Sequence, residues 1–165
     1  ALDEAFVLGR ERTEEQDPRY GLLVLSEVAQ RALSPGVNDP GTAVQVVSAL
    51  ARVLIDGTRS ERKAPADGSG GDAAGDDGDV QYPQVTIVPI PPEQLVHAIF
   101  EPIARDAGGN LEVAVALQQM LTLIADNTGG GLREAARAEA SAAFEHAEHS
   151  LSLRRERRAL ADVAK

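Results

Sequence analysis

A dense set of polar side chains lies in residues 9–43, GRERTEEQDPRYGLLVLSEVAQRALSPGVNDPGTA. The pairs Asp17-Pro18 and Asp39-Pro40 each place a capping carboxylate before a proline, which is a strong helix-start signal. Backbone N–H groups at a helix start attract anions and polar ligands. The polar residues that we expect to converge on these two starts are Arg12, Gln16, Arg31, Ser34 and Asn38. They are the candidate ligand-binding residues of the chain.

A structural network is the competing interpretation of the same stretch. Its members are Thr13, Asp17, Glu27 and Asp39. In this network Arg12 pairs with Glu27 or Asp17, and Glu27 and Arg31 share one helical face because they are four residues apart. We favour it, with Glu27 as a buried member, because capping carboxylates at both helix starts repel an anion. A third interpretation, acid and base catalysis by Arg12, Asp17, Glu27, Asn38 and Asp39, requires a concave pocket with perturbed carboxylates.

Metal and phosphate chemistry is weakly supported by the sequence. Glu145 and His149 are four residues apart and His146 lies beside them, but no second such motif completes a site, and the chain has no cysteine. A calcium loop counted from Asp72 reaches Pro83 where a glutamate is required. The glycines of TGGGLR, residues 128–133, indicate a plain connection. We therefore predict no metal, no cofactor and no catalytic residue.

The charge of the chain argues against one class of partner. The net charge of -10 excludes an ordinary nucleic-acid binder, because phosphate contacts need clustered basic residues. One basic run, Arg154, Arg155, Arg157 and Arg158, opposes the acidic surplus. We interpret it as a solvated helix face with a helix-end charge effect, in preference to contact with lipid headgroups.

The elements that position these residues are mainly helical. The chain of 165 residues fits one domain, and its aromatic content of 3% leaves a core of Leu, Val, Ile and Ala, which suits closely packed helices. One helix begins at Pro18 and ends at Ser34, and a second begins at Pro40. The composition of residues 57–79, which are rich in Gly and Asp, predicts a flexible acidic loop. Residues 80–90 predict an edge strand or short hairpin arm.

Three more helices are predicted after this segment. They begin at Pro92, after a cap at Asn110, and at about Leu132. We expect Pro102 to kink the first of them. The last has a face of small residues, Ala136, Ala140, Ala143 and Ala147, that lets another helix approach closely. The predicted fold is a bundle of about five helices with a short β element after the acidic loop.

The phrases GRERTEEQD, YGL, RALSPG and NDP, with AIFEPIARDA further on, resemble the soluble part of a family of predicted bacterial membrane proteins of unknown function. In that family transmembrane helices, even in number, precede a C-terminal water-soluble domain. The resemblance implies an accessory, sensor or assembly domain on the cytoplasmic side, with upstream membrane helices of the same polypeptide and further copies of itself as partners. Because no apolar run approaches the ~18 residues of a membrane span, we expect a soluble piece of a longer, membrane-associated protein.

Overall fold

Six α-helices make up the part of the chain that the computed structural model describes, residues 18–63 and 91–164. They are α1 Pro18–Leu33, α2 Pro40–Lys63, α3 Pro92–Ala107, α4 Leu111–Asn127, α5 Gly130–Ser150 and α6 Arg154–Val163. The prediction of a mainly α-helical fold is confirmed. No strand occurs within the described residues, and the β element predicted over 80–90 lies outside them.

The predicted number of helices is too low because the last helix is interrupted. Leu151 leaves helical geometry, with φ -70° and ψ 119°, and the chain re-enters a helix at Arg154. Leu151 and Leu160 are both buried in a small cluster with Ala114 and Ala147. Burying these two leucines against α4 and α5 turns the chain, so one predicted helix becomes α5 and α6.

The second helix is longer than predicted. It continues to Lys63, so residues 57–63 of the predicted loop are helical. Thr58 Oγ1 donates to the Ile55 carbonyl at 2.8 Å, and the Arg59 guanidinium reaches Asp56 on its own helix and Asn127 on α4. These contacts extend α2 despite Gly57. Residues 64–79 of the predicted loop lie outside the described part.

One apolar core joins the first five helices. α2 packs on α1 and α4, α5 packs on α3 and α4, and α1 packs on α3. The largest fully buried side chains of this core are Val47, Leu50, Val96, Ile99, Phe100, Ile103, Val113, Leu117, Leu121 and Ile124. On α5 the predicted small face is buried at Ala136, Ala143 and Ala147, and Ala140 is half-buried. Aliphatic and alanine side chains thus supply most of the core, as the composition predicts.

A buried hydroxyl links α1 to α3. Ser26 is 1% exposed, and its Oγ donates to the Ile99 carbonyl at 2.6 Å. Buried polar groups need such partners, because an unsatisfied donor in the core costs about 1–3 kcal/mol. Ser26 lies on the face of α1 that also buries Leu22, Ala29 and Ala32. The side of α1 that carries Glu27 and Arg31 therefore faces outward.

Candidate functional site

The turn between α1 and α2 holds the described part of the predicted polar cluster. Ser34 Oγ donates to the Arg31 carbonyl at 2.7 Å, and the Asn38 N–H donates to the Ser34 carbonyl at 2.9 Å. Asn38 has a positive φ of 49°, a left-handed conformation that asparagine tolerates better than most residues. The Asp39 N–H donates a hydrogen bond to the Ala32 carbonyl at 2.8 Å. Ser34 and Asn38 thus shape the turn itself.

Asp39 occupies the start of α2. Its Oδ1 accepts from the Thr42 N–H at 3.1 Å, and its Oδ2 accepts from the Thr42 hydroxyl at 2.6 Å. The hydrogen bond from the Thr42 side chain, followed by that from its backbone, lowers the pKa of Asp39 from its ordinary 3.8. The predicted cap is confirmed. A negative carboxylate at this position competes with any anion for the same N–H group.

The charged pair on α1 differs from the prediction. Glu27 and Arg31 are both exposed, so the expectation that Glu27 is a buried charge is wrong. Ser26 and Ala29 occupy the buried face of the helix instead. The remaining members of the predicted cluster, Arg12, Thr13, Gln16 and Asp17, lie outside the described residues. Their convergence on the turn stays a prediction.

A cross-helix pair that the sequence analysis missed lies between α3 and α5. Glu139 is only 5% exposed, and its Oε2 is 3.1 Å from His97 Nδ1. Desolvation raises the pKa of Glu139, with Glu101 adding to the rise, while His97 and, more weakly, His146 oppose it. The position of Glu139 in the sequence could have indicated its burial, because Glu139 lies between Ala136 and Ala143 on the small-residue face of α5. A glutamate in that face must be buried when another helix approaches.

The Glu139–His97 pair lies in an open cavity of about 430 Å³ between α3 and α5, lined also by Glu93, Gln94 and Ala142. A buried carboxylate beside an exposed imidazole can hold a proton and exchange it with solvent. The pair therefore has the chemistry of a proton-responsive contact between two helices. It shares no residue with the predicted cluster of residues 12–39.

A second concave surface lies along α4 and α5, with the end of α6 at its edge. Its volume is about 520 Å³, and its floor includes Leu121, Ala125 and Phe144. Gln118, 3% exposed, donates from Nε2 to the Ala140 carbonyl at 2.9 Å. The exposed side chains at its rim are Thr122, Asp126, Arg137 and Ser141. An apolar floor with a few polar groups at the rim is typical of small-molecule sites.

The other sequence candidates have local roles in the structure. His149 Nδ1 is 2.7 Å from the Glu145 carbonyl, one turn earlier on an exposed face of α5. Residues 18–63 and 91–164 contain no group of three or more His, Cys, Asp or Glu side chains arranged to hold a metal ion. Within TGGGLR, the Arg133 guanidinium donates to the Ala125 and Thr128 carbonyls at 3.0 and 2.7 Å. Arg133 thereby closes the C-terminal end of α4.

Comparison with known proteins settles the family. Residues 1–123 match the family described as "Predicted membrane protein (DUF2254)". The chain belongs to this family. The resemblance found in the sequence is thereby confirmed, and the function of the DUF2254 family is unknown.

Two uncharacterized mycobacterial proteins resemble part of the chain. The chain is 54% identical over 46 residues to the uncharacterized proteins Rv1290c of Mycobacterium tuberculosis and Mb1321c of Mycobacterium bovis. The match covers 28% of this chain and 9% of each relative. No solved structure matches the chain significantly. In the described part of this DUF2254 chain, no helix combines the length and apolarity that crossing a bilayer requires.

Removing the Asp39 carboxylate is expected to destabilise the fold. Asp39→Ala should lower the denaturant midpoint at constant slope, whereas Asp39→Asn should stay close to the original chain because asparagine caps equally well. Because the pKa of Asp39 is lowered on folding, its ionised form stabilises the chain above pH 3.8, and this contribution is lost in stronger acid. Urea titrations at neutral and acidic pH measure both effects. If the difference in denaturant midpoint between Asp39→Ala and the original chain were the same in strong acid as at neutral pH, the capping role of Asp39 would be contradicted.

The buried Glu139 is expected to make stability depend on pH in the opposite sense. Since its pKa is raised on folding from 4.5, the charged form disfavours the folded state, so stability falls as pH rises through the folded pKa. Glu139→Gln should remove this fall in stability. At neutral pH its free energy of unfolding should equal or exceed that of the original chain. Glu134→Gln, at an exposed position of the same helix, is the matched control. Parallel pH profiles for the original chain and Glu139→Gln would refute the assignment.

Proposed function

We propose that this chain is a water-facing accessory domain of a DUF2254 membrane protein, on the cytoplasmic side, and that it senses a small polar ligand. The family supplies the membrane context. The distribution of charge supports a water-facing domain, because the described core is apolar while Glu112, Glu134, Arg137 and Glu148 lie exposed on α4 and α5. Charged side chains on a lipid-facing surface are costly.

The groove along α4 and α5 is the observation that favours ligand sensing over the other roles. It combines a volume of about 520 Å³ with an apolar floor and a rim that bears Arg137, Asp126 and Ser141. This size and composition fit a small metabolite that has a charged or polar end. Ala161 on α6 and Ala164, the residue just after α6 ends, also line the groove. An occupant therefore touches three helices and can alter how α6 lies against α4 and α5.

Two other roles carry less support. Catalysis by the cluster at the α1–α2 turn requires free reactive groups, but Ser34 and Asp39 are engaged in hydrogen bonds of the turn. Homo-oligomerisation is proposed as a companion to sensing, because the exposed Val37, Val53 and Leu123 offer apolar contact to a second copy. Light scattering of the purified chain tests that state directly.

A thermal-shift screen of small charged metabolites tests the sensing role. A ligand present at 100 times its dissociation constant stabilises the folded state by about 2.7 kcal/mol, which is readily seen as a rise in Tm. We expect at least one such compound to raise the Tm of the original chain and of Arg52→Gln, a control on the exposed side of α2, but not of Arg137→Gln. A compound that stabilises all three equally, or no stabilising compound in a broad screen, would contradict sensing at this groove.

A further inference from the structure

The last helix presents a basic surface that the proposed function leaves unexplained. Arg154, Arg155, Arg157 and Arg158 are all exposed on α6. Within the helix only Leu160 is buried, and it anchors α6 to α4 and α5 beside Leu151. Glu156 and Ala161 are half-buried, and among the described residues the rest of the helix, including all four arginines, is exposed.

The arginines point away from that anchor. At 100° per residue, Arg154, Arg158 and Arg155 lie at about 120°, 160° and 220° from Leu160 around the helix axis. Arg157 flanks them at about 60°. Three guanidinium groups thus share one outward face of α6, which we call the α6 arginine face and which comprises Arg154, Arg155 and Arg158. Asp162 lies on the same side, one turn beyond Arg158.

Among the described residues, the fold gives the four arginines no ion-pair partner. In the described residues, no carboxylate lies within 4.0 Å of the guanidinium groups of the four arginines, whereas Arg105 is paired with both Glu101 and Asp106. The helix carries four arginines against Glu156 and Asp162 and is basic, in a chain whose net charge is -10. A positive face on an acidic domain selects one orientation toward a negatively charged surface.

We propose that the α6 arginine face docks on the anionic phospholipid headgroups of a bilayer, which replaces the solvated helix face that the sequence favoured. Guanidinium groups bind phosphate oxygens in a bidentate manner, which favours arginine over lysine for this contact. A bilayer is the partner that the DUF2254 family supplies, and the net charge of -10 opposes a long polyanion such as RNA, which would also meet the acidic surfaces.

The expected strength suits a tethered domain. Each arginine near an anionic membrane surface contributes about a five-fold gain in partitioning, equivalent to ~1 kcal/mol. The three arginines of the α6 arginine face give a reversible contact, opposed by the acidic remainder of the chain. In the membrane protein the contact becomes intramolecular, so a weak affinity is sufficient. This last step rests on the proposed function, while the affinity of the face for headgroups does not.

Vesicle co-sedimentation of the purified chain at low salt tests the proposal. We expect binding to vesicles of phosphatidylserine mixed with phosphatidylcholine, no binding to phosphatidylcholine alone, and loss of binding as salt screens the charges. Arg154→Gln/Arg155→Gln should reduce the partition coefficient by about 25-fold. Arg31→Gln/Arg52→Gln removes the same charge from exposed positions on α1 and α2 and should have a much smaller effect. Circular dichroism confirms that each variant remains folded.

Three results would overturn the proposal. They are absence of binding to anionic vesicles, equal loss in the two double variants, and equally tight binding to polyuridylate at the same phosphate concentration. The first would leave sensing at the α4–α5 groove intact, because the metabolite screen uses the same folded chain without lipid. Conversely, a failed metabolite screen with retained vesicle binding would remove sensing alone.

Discussion

Replacing Phe100 by alanine is expected to lower the free energy of unfolding by about 3–5 kcal/mol. Phe100 on α3 is fully buried and is the largest such side chain in the described core. Its removal loses the transfer free energy of the ring and leaves a cavity that helices held by small residues can collapse into only in part. Since domains are stable by about 5–15 kcal/mol in total, this loss is a large fraction of the whole stability.

Equilibrium urea denaturation followed by circular dichroism measures the Phe100→Ala effect. Leu123→Ala is the matched control, because Leu123 is a large apolar residue that is 41% exposed on α4. Leu123→Ala should lower the free energy of unfolding much less than Phe100→Ala does. If the two variants lost equal stability, Phe100 would not be at the centre of the core.

Enlarging Ala136 should also destabilise the chain, by about 1–3 kcal/mol for Ala136→Leu. Ala136 is fully buried on α5, the helix that packs on both α3 and α4. A leucine there inserts three extra carbons into a space filled by neighbouring helices, so side chains or backbone must shift. Glu139 lies one turn further on the same face, and the shift should weaken its contact with His97.

The matched control for Ala136→Leu is Ala138→Leu, since Ala138 is exposed two residues further along α5. Both substitutions add the same atoms to the same helix, so helix propensity cancels in the comparison. Thermal melts of both variants should show a lower Tm for Ala136→Leu alone. A similar Tm for the two variants would mean that α5 does not pack as tightly as its alanine face indicates.

The starts of α2, α3 and α4 were predictable because their signals are local. Pro40 follows a capping aspartate, Pro92 follows another proline, and the Asn110 side chain accepts from the Val113 N–H at 3.2 Å, as its position before an apolar stripe predicts. Each signal depends on residues within one turn of the boundary. The α1–α2 connection was predictable for the same reason.

The missed features depend on contacts between distant residues. Nothing near Leu151 breaks a helix in the sequence, and the interruption follows from burying Leu151 beside Leu160. The position of Glu139 on the small-residue face of α5 indicates burial, but its partner His97 is 42 residues away in sequence, so no local signal pairs the two. The opposite error occurred at Glu27, whose burial was inferred from a motif although Ser26 and Ala29 take the inward positions of α1.

The central claim, that this domain faces water on the cytoplasmic side, is tested most directly by cysteine labelling of the membrane protein that contains it. The chain has no cysteine, so a reporter introduced into it is the only cysteine of this domain, and a protein without the reporter gives the background labelling. With Ala138→Cys, exposed on α5, and Val47→Cys, fully buried in α2, we expect a membrane-impermeant maleimide to label only Ala138→Cys, and only after the cells are opened. Labelling of Ala138→Cys in intact cells would contradict the cytoplasmic side. Labelling of Ala138→Cys by a lipid-soluble maleimide alone, even in opened cells, would contradict a water-facing domain.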